Sequence, residues 1–405
     1  MSRRTVVVGA GQAGARTATA LRRLDESVEI VLLGEERELP YERPPLSKEV
    51  LNGSLASKTT LFPLGWYEEQ RIALRTGVRV EGFDWRARQV RLAHGETLGY
   101  DDLVLATGVR ARPLGVPGAA LDGVLTLRTL DDSATLSARL KPGTRLVVIG
   151  GGFLGLEIAA TASARHCAVT VLESGNGLLP RIFGGFLGDY LAALHRAHRV
   201  EVRTGATVDA IEGGTAVEAV RLGDGSRLAA DVVVVAIGAL ANDELARAAG
   251  AECADGVLVD AETRSSLPSV YAVGDVARQR RHWLGESIRL ESWENAELQA
   301  QAAARSIAGL EPAASAAPWF WTDQYDRNIQ MLGDRAAEDR VLVRGDLEAA
   351  SWCAFFVADD VIRGALLVNA GRERRIVKRL IDTRQRIDAA GIANPGRPLA
   401  GLALD

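Results

Sequence analysis

The sequence predicts an α/β protein in which one strand–turn–helix–strand unit is written twice, followed by a smaller α+β domain. Three observations lead there. The stretches Thr5–Glu35 and Arg145–Glu173 each run from a short Val/Ile/Leu segment into Gly-x-Gly-x-x-Gly, then an Ala-rich helical stretch, then a second apolar run ending in an acid. Later, LVLATG (Leu103–Gly108) and VVVVAIG (Val232–Gly238) recur as apolar strands closing on Ala-x-Gly. Beyond residue 317 the composition changes to WFWTDQYDRNIQ and a row of short strand-like runs.

The glycines are Gly9, Gly11 and Gly14 in the first copy, and Gly150, Gly152 and Gly155 in the second, where Gly151 fills an extra place. Glycine is required because the turn is tight, the backbone must approach a pyrophosphate, and the helix must pack close to its strand. The helix N-terminus then presents N–H groups and a positive dipole end to the phosphates. A single fingerprint is weak evidence. Two copies in full context predict two Rossmann-like dinucleotide-binding domains. Glu35 and Glu173 stand where a carboxylate accepts hydrogen bonds from a ribose diol and repels a 2′-phosphate. Ser174 and Gly175 follow Glu173 with no arginine beside it, so the second site is expected to take NADH in preference to NADPH.

A chain of 405 residues with 47% apolar and 25% charged residues suits two or three soluble domains. The net charge of −4 argues against a nucleic-acid partner. MSRRT enters the first strand almost at once, and no apolar run reaches the roughly 20 residues of a membrane helix, so a cytoplasmic protein off the membrane is expected. Cys167, Cys253 and Cys353 lie far apart and read as small core hydrophobes, with no local redox pair and no metal site.

In chain order, ELPYERPPLSK (Glu38–Lys48) follows the first unit. Pro44 and Pro45 are expected to forbid a helix, and Ser47 to cap the next one. The segment is either a rigid connector or a fixed backbone holding Arg43 and Lys48 over a cofactor. Val78–Leu92 alternates with the period of half-buried strands and predicts an inserted hairpin or meander. VLTLRTLDDSATLSARL predicts a strand and a helix capped near Asp131 or Asp132. In VYAVGDVA an apolar strand stops at Gly274 and Asp275, which reads as an ordinary turn or as a carboxylate for a sugar alcohol. Glu291–Leu310 is strongly helical, Ala313–Ala317 reads as a linker, and a basic helix is expected from Arg372 to Arg386.

With VVVGAGQAG, PYERPPLSK, LVLATG, LRTLDD, VVIGGGFLGLE, VYAVGDVA, RLESWENAELQ and PWFWTDQYD in this order, the chain resembles the FAD-dependent ferredoxin reductases of oxygenase systems. These are the family of putidaredoxin reductase and the biphenyl dioxygenase reductase, a branch of the two-dinucleotide-binding flavoproteins related to glutathione reductase. The resemblance covers essentially the whole chain. It implies FAD-binding segments at 1–109 and 241–316, an NAD-binding domain at 110–240, and an α+β interface domain at 317–405.

Carried over position by position, the resemblance implies that Gly9, Gly11, Ala13 and Gly14 contact the FAD pyrophosphate and Glu35 its adenosine ribose. Arg43 and Lys48 would line the flavin, with Lys48 near N5, while Val80, Ala106, Arg128, Gly238 and Gly274 complete the cofactor-contacting set. Asp275 would bind the ribitol and Trp293 the flavin ring through its backbone. NADH would lie on Gly150, Gly152, Gly155 and Glu173. Glu157 reads as a solvated helix acid or, following the family, as the partner of Lys48 in a pair gating the nicotinamide pocket.

Disulfide reductases of this kind need a cysteine pair, and NADH peroxidases or oxidases a single cysteine, where this chain has PYERPPLSK. The implied acceptor is therefore a [2Fe–2S] ferredoxin serving a cytochrome P450 or a Rieske oxygenase, reached past Trp293, Trp319 and Trp321. Arg372, Arg374, Arg375, Lys378, Arg379, Arg384 and Arg386, with Arg278, Arg280 and Arg281, are either a solvated surface or a docking surface for an acidic ferredoxin. Two other functions remain open at this point: an NADH diaphorase or monodehydroascorbate-type reductase, and a slow-turnover flavoprotein of the apoptosis-inducing-factor type.

Overall fold

A strand with both faces covered must be apolar along its whole length, and the two Val/Ile/Leu runs that lead into the glycine turns meet that demand. The computed structural model describes residues 3–54, 56–180, 182–280, 287–311 and 316–404. Arg281 of the basic cluster and residues 313–315 of the expected linker lie outside the described residues. The chain forms two compact units. One comprises Met1–Pro44, Leu55–Arg110 and Ala239–Ala316; the other comprises Pro45–Ser54, Ala111–Gly238 and Ala317–Asp405.

In the first unit a five-stranded sheet runs Val270–Ala272, Asp102–Leu105, Arg4–Val8, Glu29–Leu33, Ile72–Arg75. Every pairing in it is parallel. Val6, Val7, Leu32, Leu103 and Val104 are fully buried at its centre. Helices Gln12–Leu24 and Trp293–Ile307 contribute Ala15, Ala18, Ala303 and Ala304 to the core of Val7, Leu32 and Val104, while Val6 and Leu103 join a second cluster with Val90 and Leu92. The expected meander is present as an antiparallel sheet of Val80–Asp84, Gln89–Leu92 and Thr97–Gly99.

The second unit repeats the plan. Its parallel sheet runs Glu201–Thr204, Ala168–Glu173, Arg145–Ile149, Val232–Val235, Val124–Leu125. In both sheets the strand entering the glycine turn lies between its βαβ partner and the strand ending in Ala-x-Gly. The C-terminal stretch adds an antiparallel sheet of Trp319–Gln324, Arg327–Gly333, Val361–Val368, Trp352–Ala358 and Arg340–Arg344, with helix Arg374–Thr383 beside it.

Three local expectations are corrected. The prolines do not exclude a helix: Pro44–Ser47 is a 3-10 turn, since proline at the first positions has the right φ and no needed N–H to lose. Helix Leu130–Arg139 is capped by Thr129, with Asp132 returning the bond to the Thr129 N–H as a capping box. The basic helix stops at Thr383 because Arg384 turns left-handed at φ 49°.

Helix Phe186–Ala197 carries His195, which is fully buried. Burial pushes its pKa down to about 4, against a hydrogen bond to Gln324 that acts the other way. The unfolded chain takes up a proton near pH 6.5 that the folded ring refuses until about pH 4, so stability rises with pH across that window. The loss on acidification is on the order of 3 kcal/mol. His195→Phe is expected to flatten the fall in unfolding midpoint between pH 6.5 and 4.5; an unchanged slope means that the ring is charged in the fold.

Candidate functional site

The outer glycines of the two turns meet corresponding carbonyls. A Cβ on Gly9 would lie 2.1 Å from the Ala106 carbonyl oxygen, and one on Gly14 would lie 1.9 Å from the Gly9 oxygen. In the second unit a Cβ on Gly150 would meet the Ala236 oxygen at 2.3 Å, and one on Gly155 the Gly150 oxygen at 2.2 Å. Gly9 and Gly150 also have φ near +110°, which only glycine adopts without strain. The middle glycines differ. Nothing lies within 4 Å of a Cβ on Gly11 or Gly152, so packing does not explain them.

Those middle glycines are the N-caps of helices Gln12–Leu24 and Phe153–Ala164, and neither helix has a side-chain cap or a first-turn acid. Open space in front of an uncapped helix start fits an anion held by backbone N–H groups. The residues of both turns therefore fit a dinucleotide pyrophosphate. Ala13 lies close under Gly274, where a Cβ would meet the Ala13 Cβ at 2.7 Å.

The two strand-end acids are used differently. Glu173 accepts from the Gly151 N–H at 2.9 Å and the Gly175 N–H at 2.7 Å, so it braces the second glycine turn. Glu35 pairs with Arg79 at 2.9 Å, both side chains being about two-thirds exposed, and such a pair stabilises by about 0–1 kcal/mol. The Val78 N–H donates to the Gly34 oxygen at 2.7 Å, which brings the meander strand of Val80 beside Glu35.

Also in the first unit, Arg43 donates to Glu36 at 2.6 Å and to the Tyr41 hydroxyl at 2.9 Å. Burial works against its charge, but Tyr41, Glu36 and Asp275 outweigh it and raise its pKa. Asp275 sits in the 3-10 turn Gly274–Val276, whose first N–H donates to Gln299 Oε1 at 2.8 Å. Trp293 opens its helix and donates from Nε1 to Glu42 Oε1 at 3.1 Å.

The second unit holds Lys48, Arg128, Glu157 and Gly238. The Arg128 N–H donates to Asp132 Oδ2 at 2.8 Å, and the Gly238 oxygen accepts from the Arg112 N–H at 2.9 Å. Lys48 Nζ lies 2.8 Å from Glu157 Oε2, with the side chains 12% and 8% exposed. Ser47 Oγ donates to the same oxygen at 2.5 Å, and Thr322 Oγ1 to Oε1 at 2.7 Å. Ser47 thus serves this carboxylate instead of capping a helix. The backbone around Lys48 is fastened too: Ser133 Oγ donates to the Leu46 oxygen at 2.8 Å and Thr161 Oγ1 to the Ser47 oxygen at 2.7 Å. Breaking so buried a pair costs about 3–5 kcal/mol, several times what the exposed Glu35–Arg79 pair contributes.

Sequence reasoning missed Thr322, Glu36 and Glu42, and gave Ser47 a different role. Each is an ordinary polar residue whose role comes from its partner, and only Ser47 had a local signal in its place next to Lys48. The three cysteines are free, and burial pushes the Cys353 thiol up to about 11 and raises those of Cys167 and Cys253. None has the thiolate character of a redox cysteine. Trp319 and Trp321 stack at 5.0 Å, with the Arg374 guanidinium 4.5 Å over the Trp319 ring. Lys378 donates to the Ala317 oxygen at 2.5 Å, whereas Arg372, Arg375 and Arg379 are exposed.

The glycine geometry separates packing from binding. Gly14→Ala is expected to lower both the unfolding midpoint and the flavin retained on purification. Gly11→Ala is expected to leave the unfolding midpoint of the flavin-free protein unchanged while lowering retained flavin, read as the visible-to-280 nm absorbance ratio. Full retention in Gly11→Ala would refute a pyrophosphate at that turn.

Comparison with known proteins gives the same lineage as the motifs. The family described as pyridine nucleotide-disulphide oxidoreductase matches residues 3–300, and the reductase C-terminal family matches 319–403. The chain is 42% identical over 394 residues to the anthranilate 1,2-dioxygenase system ferredoxin–NAD(+) reductase component of Burkholderia cepacia, covering 96% of this chain and 97% of that one. It is 38% identical over 394 residues to the benzene 1,2-dioxygenase system ferredoxin–NAD(+) reductase subunit of Pseudomonas putida, covering 97% and 96%. The crystal structure of the covalent putidaredoxin reductase–putidaredoxin complex matches with a TM-score of 0.94 at 36% identity, covering 98% of this chain and 97% of that one. With two matching glycine cradles and relatives covered over 96–97% of their length, the chain belongs to the pyridine nucleotide-disulphide oxidoreductase family, in the branch that carries the reductase C-terminal domain.

Proposed function

We propose that the chain is the reductase component of an oxygenase system, an FAD-dependent NADH:ferredoxin oxidoreductase that passes single electrons to a [2Fe–2S] ferredoxin. One observation carries this reading: two open-middle glycine cradles stand in a chain whose Tyr41–Lys48 stretch has no thiol to take a pair of electrons. Bound FAD supplies the exchange of one hydride for two separate electrons.

The residues divide the work. The turn at Gly9, Gly11, Ala13 and Gly14 holds the FAD pyrophosphate, with Ala106 and Gly274 closing against it. Glu35 and Val80 flank the adenosine end, Asp275 takes the ribitol, and Arg43 and Trp293 face the ring. On this reading FAD belongs to 1–109 and 241–316. The turn at Gly150, Gly152 and Gly155, with Glu173 and Gly238, holds NADH in 110–240. Lys48, oriented by Glu157, acts in the NADH step, where alignment matters more than acid or base chemistry. The 317–405 domain offers the electron carrier its stacked Trp319 and Trp321 and the arginines of its basic helix.

No helix among the described residues is long and apolar enough to cross a membrane. The reading puts the enzyme in the cytoplasm, with its electrons going to a Rieske oxygenase or a cytochrome P450.

Glu173→Ala removes the acceptor for a ribose diol and unties Gly151, so KM for NADH is expected to rise roughly tenfold and the advantage over NADPH to shrink, measured with ferricyanide as acceptor. NADH-driven reduction of cytochrome c is expected to need an added [2Fe–2S] ferredoxin and to fall steeply from 50 to 300 mM salt as exposed charges are screened. Cytochrome c reduction that is as fast without ferredoxin would favour the diaphorase reading, and a flat salt response would remove the basic docking surface.

A further inference from the structure

The carboxylate of Glu157 has a second oxygen, and a line of buried groups runs from it. Thr322 and Gln324 lie two residues apart on strand Trp319–Gln324 and so share one face. Thr322 Oγ1 is 2.7 Å from Glu157 Oε1, and Gln324 Nε2 is 3.1 Å from Thr322 Oγ1. Gln324 Oε1 is 2.8 Å from His195 Nε2, and the Tyr325 hydroxyl is 2.9 Å from His195 Nδ1. Glu157 is 7% exposed, Gln324 1%, and Thr322 and His195 not at all.

One acceptor fixes the direction of every bond. The Glu157 carboxylate, already facing Lys48, only accepts, so the Thr322 hydroxyl donates to it. Having given its one proton, Thr322 Oγ1 accepts from the Gln324 amide nitrogen. The amide oxygen is thereby turned toward His195, whose Nε2 must carry the proton. A neutral ring then leaves Nδ1 as acceptor for the Tyr325 hydroxyl. The burial that keeps His195 uncharged down to about pH 4 agrees with a neutral ring. The other titratable groups around the ring are Tyr325, whose pKa burial raises, and His198, stacked 3.6 Å from the Tyr325 ring.

We propose that His195 is a positioning residue for the NADH step: its Nε2–H form sets the proton order Tyr325, His195, Gln324, Thr322, Glu157, committing one Glu157 oxygen to Thr322 and leaving the other for Ser47 and Lys48. This rests on the reading that the Lys48–Glu157 pair acts in that step. Without the imidazole, the Gln324 amide has no partner holding its orientation. Flipped, it offers Thr322 an acceptor in place of a donor, and the Thr322 proton is drawn away from Glu157.

Two measurements on the holoenzyme test this. Long-range 1H–15N NMR of 15N-histidine-labelled protein, with His195 assigned by its loss in His195→Phe, is expected to show the Nε2–H tautomer at all pH values above 5. Thr322→Val is expected to turn that single form into a mixture. An Nδ1–H ring, a titration midpoint near 6.5, or a spectrum untouched by Thr322→Val overturns the proposal whatever the kinetics show. In stopped-flow reduction of the flavin by NADH, His195→Phe and Thr322→Val are each expected to slow the step roughly tenfold, with the double variant no slower than either. His195→Gln, whose amide replaces the Nε2 donor, is expected to recover most of the rate. Multiplying losses, or no recovery with glutamine, count against positioning through Glu157. Glu157→Ala reducing at the wild-type rate would instead sink the reading of the pair, while the NMR result still decides the proton order.

Discussion

The structure depends on backbones coming closer than a side chain permits. At Gly14 the glycine-loop helix lies so near the Gly9 carbonyl that a single methyl group would overlap it, and Gly9 in turn lies against the carbonyl of Ala106. Gly155, Gly150 and Ala236 repeat the contact in the second unit. This approach aims the helix start at the end of its strand, and the aim is what makes an anion site. It also explains why the Ala-x-Gly strand recurs in both units. The neighbouring strand must present a bare carbonyl next to the turn, and a small residue lets it do so.

The same constraint accounts for what could be read from the sequence. Gly14 and Gly155 answer to carbonyls five residues back, and the acids stand at the ends of the same βαβ units, so local spacing exposes them, whereas Gly9 and Gly150 answer also to the distant carbonyls of Ala106 and Ala236. Thr322 was not legible, since its bond to Glu157 joins positions 165 residues apart. Neither was the cap at Thr129, where two aspartates gave the stronger signal and the reciprocal bond from Asp132 decided the outcome. The prolines at 44 and 45 misled because their cost depends on position: inside a helix they remove a bond, at its first turn they remove nothing.

The two acids that look alike in sequence show how far pattern goes. Glu35 and Glu173 occupy corresponding places, yet Glu173 is tied to the Gly151 N–H of its glycine turn and to the Gly175 N–H just beyond its own strand, while Glu35 is mostly in water beside Arg79. The first arrangement holds the carboxylate in one orientation. The second leaves it free to exchange its arginine for another donor at small cost, since an exposed pair is weak.

Glu157 is the contrary case, and its energetics bear on its purpose. Taking a carboxylate and an ammonium out of water costs several kcal/mol per ion, and well-packed apolar residues in their place are often as stable or more so by about 1–4 kcal/mol. The chain nevertheless surrounds this carboxylate with Lys48, Ser47 and Thr322 and extends the line to a buried histidine that itself lowers stability below neutral pH. Stability alone does not account for such a construction. Control of orientation does: an acceptor fixed at one end and an uncharged ring at the other leave each intervening hydroxyl and amide a single way to point. A lysine held by such a carboxylate keeps its position while the groups around it change charge, which is what a reaction that moves negative charge through its site requires.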